Sequence, residues 1–63
     1  MTTEQAVHNH RHNEAFAALE EAMKQVNLEV LFPQSDESKA QYQEVRKHLS
    51  ATMEAMRNIA LPQ

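Results

Sequence analysis

Apolar side chains recur along this 63-residue chain at helical spacing, in two series separated by a single break. Phe16, Leu19, Met23, Val26 and Val30 step by 3, 4, 3 and 4. After Phe32-Pro33-Gln34-Ser35, the residues Tyr42, Val45, Leu49, Thr52, Met56 and Ile59 step by 3, 4, 3, 4 and 3. That rhythm draws one narrow apolar seam down each of two helices. Pro33 cannot extend a helix and drives Phe32 out of the α region, so the first helix is predicted over about residues 6–31. Residues 32–35 form the turn, with Ser35 the natural N-cap of the second helix. Asp36 and Glu37 put negative charge in its first turn, where the helix dipole favours it. The second helix is predicted over about residues 36–60, stopped by Leu61-Pro62.

A connection this short makes the helices antiparallel neighbours. Glycine is absent, and tight β-hairpins want glycine at positive φ, so a β fold is disfavoured. The expected fold is therefore all-α: an antiparallel two-helix hairpin. Counting outward from the turn sets Leu19 opposite Leu49, Phe16 opposite Thr52 and Met53, and His12 opposite Met56. Parts of Leu28, Leu31, Met53 and Ala60 are left facing outward. A chain of this size buries only roughly 60% of its unfolded surface, and its core seldom supplies more than ~3–5 kcal/mol. With no cysteine there is no disulfide to reinforce it. The expectation is a four-helix bundle or larger homo-oligomer, with a different protein on the outward face as the alternative.

The formal net charge of −3 argues against a general duplex-DNA binder, which needs many phosphate-neutralising cations. No 18-residue apolar run is present, so no membrane span is expected. Met1-Thr2-Thr3-Glu4-Gln5 has neither the basic nor the apolar region of a secretion signal. A cytoplasmic protein is the expectation.

Chemistry-bearing residues concentrate near the two ends that the hairpin brings together. His8 and His12 are i and i+4, the spacing at which two imidazoles can share a metal, but no third ligand accompanies them, so no metal is expected. Beside the end of the second helix, His8, Arg11 and His12 approach Arg57 and Asn58. Two guanidiniums with imidazoles and an amide can hold a phosphate, and the dipole of the first helix adds to them. Tyr42 is expected in the seam with its hydroxyl at the rim, or stacked on a ligand base in a symmetric assembly. No nucleophile–base or paired-carboxylate arrangement can be built, and two helices provide no water-excluding cleft, so neither catalysis nor a cofactor is expected.

The C-terminal stretch His48-Leu49-Ser50-Ala51-Thr52-Met53-Glu54-Ala55-Met56-Arg57-Asn58-Ile59-Ala60-Leu61-Pro62 carries Met53, Arg57, Ile59-Ala60 and Pro62 at a telling spacing. In this, and in His10-Arg11 near the start, the chain resembles the small helical hairpins of phage anti-CBASS and anti-Thoeris sponge proteins. Those assemble into multimers and sequester cyclic nucleotide signals between subunits. The chain departs from them at Ala51-Thr52, where they have Gly-Phe, and in lacking their Gly-Tyr-Arg segment after the His-Arg pair. Residue by residue, the resemblance carries over Arg11 and Arg57 as phosphate-facing positions. It implies a non-enzymatic sponge, in the host cytoplasm if the chain is phage-encoded, that holds a cyclic nucleotide at subunit junctions. The alternatives are a small acidic inhibitor or adaptor that docks its apolar helix face on a host protein, and a purely structural dimerisation module.

Overall fold

The computed structural model describes residues 2–61 and consists of two helices, α1 (Thr3–Leu31) and α2 (Asp36–Arg57). The molecule measures 50 × 16 × 11 Å along its principal axes, two helices wide and one helix deep. Each helix therefore meets the other along one edge only, and among the described residues no second layer covers either face.

α1 begins at Thr3, three residues before the predicted start. The cause is a capping box: Thr2 Oγ1 accepts from Gln5 N–H at 3.1 Å while Thr2 N–H donates to Gln5 Oε1 at 2.8 Å. The signature, Thr-x-x-Gln, is present in the sequence, but the apolar seam stops at Phe16 and gives no sign of it. The half-buried line does continue upward, through His12, Asn9 and Gln5, in polar residues at the same 3–4 rhythm. α1 ends where Pro33 requires, with the Phe32 N–H closing on Leu28 O at 2.8 Å. No described residue has positive φ, so the turn is made without the left-handed corner that glycine would serve.

Ser35 caps α2. Its Oγ accepts from Ser38 N–H at 3.0 Å, and Ser38 Oγ accepts in return from Ser35 N–H at 3.3 Å. Ser35→Ala should cost about 1 kcal/mol and lower the melting temperature by roughly 4–8 °C in a chain of this size. An unchanged melting curve would show that the cap contributes nothing. α2 stops at Arg57, three residues short of Ala60. The Asn58 N–H is shared between Glu54 O and Ala55 O at 3.3 and 3.2 Å, and Ile59 N–H reaches Met56 O at 3.2 Å. These i→i−3 bonds tighten the last turn and release the chain, leaving Ile59 and Ala60 outside the helix.

The core is thin. Val26, Val30 and Met53 are the buried apolar residues among those described, none of them fully. Phe16, Leu19, Met23, Tyr42, Leu49 and Met56 are half-buried. Four seam positions differ from expectation: Thr52 and Met53 exchange places, and Val45 and Ile59 are exposed. Thr52 is exposed, with its hydroxyl donating to His48 O at 2.9 Å, and Met53 takes the buried place expected to face outward. Both lie one turn beyond Leu49, at i+3 and i+4. The thioether gains more from burial, while the threonine hydroxyl is satisfied on its own helix. Val45 is also more exposed than a seam residue, at 43%.

The register differs as well. Arg57, not Thr52 or Met53, stands over the Phe16 ring, and His12 shares a cleft with Leu61. α2 is thus displaced by about one helical turn, ~5 Å, from the register counted about the turn. The extended backbone at Ser35 (φ −158°, ψ 166°) and the non-helical Phe32 (φ −127°, ψ 66°) carry the chain past the end of α1 before α2 turns back. α1 is also longer than α2 by seven residues, ~10 Å, so its first turns project beyond the end of its partner.

Candidate binding site at the open end of the hairpin

Helix α1 supplies His12, Asn13, Phe16 and Glu20, and the far end of α2 supplies Arg57, followed by Leu61. Together they line an open cleft of about 440 Å³. His12 and Phe16 are i and i+4, so they stack on one face, and Asn13 and Glu20 flank them. The Arg57 guanidinium carbon lies 5.4 Å from the Phe16 ring centroid, within cation–π range. Its Nη1 donates to Glu54 Oε2 at 3.2 Å, an i,i+3 pair in which both side chains are more than half exposed. Exposed pairs of this kind contribute ~0–1 kcal/mol, so the guanidinium is oriented by them but not locked.

The structure brings His12 and Arg57 together, and they are the two predicted site residues that share this cleft. His8 and Arg11 are exposed on the projecting turns of α1 and do not line it. Arg11 immediately precedes His12 and so points about 100° away from it around the helix. Asn58 is exposed and serves as the C-cap of α2. Tyr42 is half-buried fifteen residues before Arg57, ~22 Å along α2, too far to meet the same small ligand within one chain. Among the described residues no group of three His, Cys, Asp or Glu side chains is placed to hold a metal.

Asn13, Phe16, Glu20 and Leu61 also line the cleft, and none of them was expected there from the sequence. Phe16 reads as plain core from its spacing, and only the displaced register sets it beneath Arg57. Glu20, with Glu54, makes the surroundings of Arg57 less cationic than the sequence cluster implied. Arg57→Ala should lower stability by about 1 kcal/mol and by no more than ~2, the combined worth of an exposed cation–π contact and a surface ion pair. A larger loss by thermal melting would show that Arg57 is structural.

A second cleft of about 440 Å³ opens on the side of the hairpin, lined by Glu20, Met23, Lys24, Asn27, Leu28 and Met53. Its floor is apolar, and Leu28 is 44% exposed. Beyond it, at the turn, Leu31 and Phe32 are 69% and 76% exposed. Among the described residues no helix is long and apolar enough to cross a membrane. No family description, curated protein or solved structure matches this chain.

Proposed function

We propose that the chain is a non-enzymatic interaction module whose working form is an assembly of hairpins, acting by holding a partner and not by converting a substrate. The observation that carries this is the imbalance between core and surface. Among the described residues three side chains are buried, while Val7, Leu28, Leu31, Phe32, Val45, Ile59 and Leu61 stand exposed. With 37–76% of their surface still exposed, covering them gains ~0.5–2 kcal/mol each, a sum comparable to the whole stability a core of this size provides. A second helical layer over the cleft of Met23, Leu28 and Met53 is the ordinary completion of such a structure. The melting temperature should therefore climb with protein concentration, by ~10 °C for a hundredfold increase. A melting temperature independent of concentration would oppose self-assembly.

A second reading is favoured by one observation, the meeting of His12, Asn13, Phe16 and Arg57 in one cleft. In it the assembly retains a small phosphate-bearing ligand, such as a cyclic nucleotide, with the Phe16 ring steadying Arg57 and Arg57 serving as a bidentate donor. Binding to the folded form alone stabilises it by about 2.7 kcal/mol at a ligand concentration a hundred times Kd. A thermal-shift screen of cyclic di- and trinucleotides, with their linear forms as controls, tests this. The reading expects a shift of several degrees for a cyclic species, lost in Arg57→Ala. No shift with any of them would leave the apolar faces as the functional surface.

A further inference from the structure

We propose that His8 and His12 together form an exchangeable site for a divalent transition-metal ion, held by two imidazoles on the first turns of α1. Such a site is independent of how the hairpin assembles. The Thr2–Gln5 capping box carries α1 back to Thr3, so residues 8–12 lie in its second and third turns and not at a fraying end. His8 and His12 are therefore i and i+4 in regular helix, with Cβ atoms about 5–6 Å apart on one face. From there both rings can reach one ion at about 2.0–2.1 Å. His10, midway between them, lies about 200° around the helix and faces away.

Both imidazoles are available. Among the described residues neither makes a hydrogen bond or an ion pair, whereas His48 lies 3.6 Å from Glu44. His8 is exposed, and His12 is half-buried at the edge of the open-end cleft beside Leu61. One ring is thus held while the other is free to close on the ion. Arg57, the last residue of α2, stands over Phe16, one turn below His12, so α2 has ended before the level of His8. The charge nearby is close to balanced. Glu4 lies one turn before His8 on the same face, Arg11 lies one turn after it, and Arg57 is paired with Glu54 at 3.2 Å. The missing third ligand, which weighs against a metal in the sequence, sets the kind of site. Two protein ligands fall short of the four of a structural zinc site and the three of a catalytic one, so water fills the other positions and the ion exchanges. Imidazole suits copper, nickel and zinc, with Cu(II) held most tightly, while magnesium and calcium require oxygen ligands.

Calorimetric titration of the full chain with CuCl2, NiCl2, ZnCl2 and MgCl2 tests this. The site should take one Cu(II) per chain, Ni(II) and Zn(II) more weakly, and no magnesium. The chain has no cysteine to compete for these ions. His8→Ala and His12→Ala should each weaken Cu(II) binding by roughly tenfold to a hundredfold, because the second imidazole then no longer binds within the same molecule. His10→Ala should change it by less than about twofold, since it leaves that pair intact. Alanine is the best helix former, so all three variants should keep the helical signal by circular dichroism. In concentrated urea the preference for His8 and His12 over His10 should vanish, because the helix creates the pair. Equal losses from the three variants in the folded chain would overturn the site. So would Cu(II) binding that neither His8→Ala nor His12→Ala weakens, a preference that survives in urea, or no binding at micromolar metal.

Discussion

Met53→Asp should unfold the isolated chain. Met53 is the one buried residue that α2 contributes among those described, against Val26 and Val30 from α1. Truncating a buried methionine costs ~2–5 kcal/mol through lost transfer energy and the cavity left behind. The aspartate adds the desolvation of a carboxylate in a core where no described polar or charged side chain is buried to pair with it. A core of this size supplies no more than ~3–5 kcal/mol, so the sum exceeds what the hairpin has. Circular dichroism at room temperature should show most helical signal gone, with no cooperative melt. Met53→Leu, which keeps volume and apolarity, should cost less than ~1.5 kcal/mol and retain the fold. A Met53→Asp protein that melts within a few degrees of the parent would show that the α1–α2 contact lies elsewhere.

The second large effect is on association. Leu28→Glu combined with Phe32→Glu should weaken self-association by at least about a hundredfold, ~2.7 kcal/mol or more, while leaving the helical content of the single hairpin nearly unchanged. Both side chains are exposed in the lone hairpin, at 44% and 76%, so little folding energy rests on them. If a second chain covers them, each loses ~0.7–2 kcal/mol of burial on every chain, and the added carboxylates join Glu29, Asp36 and Glu37 at the turn end. Dilution series followed by sedimentation velocity would read the shift. Association as tight as in the parent would mean that these residues do not sit in the interface.

The two largest elements of this fold are legible in the chain because their signals are strong and local. Pro33 fixes the end of α1, and Ser35 with Asp36 and Glu37 fixes the start of α2, each through chemistry confined to a few neighbouring residues. The start of α1 was equally written, in Thr2 and Gln5, but it is a polar signal and a search for apolar rhythm passes over it. What spacing does not carry is rotation and register. Thr52 and Met53 are neighbours on the seam, and which one turns inward depends on how α2 rolls against α1. That roll depends on how far the extended turn runs past Leu31 before α2 begins. The same displacement decides the open-end cleft. Arg57 meets Phe16 because α2 is shifted by about one turn, and Arg11 stays outside because it lies one position away from the His12 face. Tyr42 is separated from that cleft by distance along α2, which a list of candidate residues does not show.

Sedimentation equilibrium of the unmodified chain tests the central claim most directly, namely that one hairpin leaves its apolar surface for a second to cover. The account predicts a mass of twice the chain's 7.2 kDa, or a larger multiple, that falls toward the single chain on dilution. A mass of 7.2 kDa at every concentration, with helix intact, would contradict it.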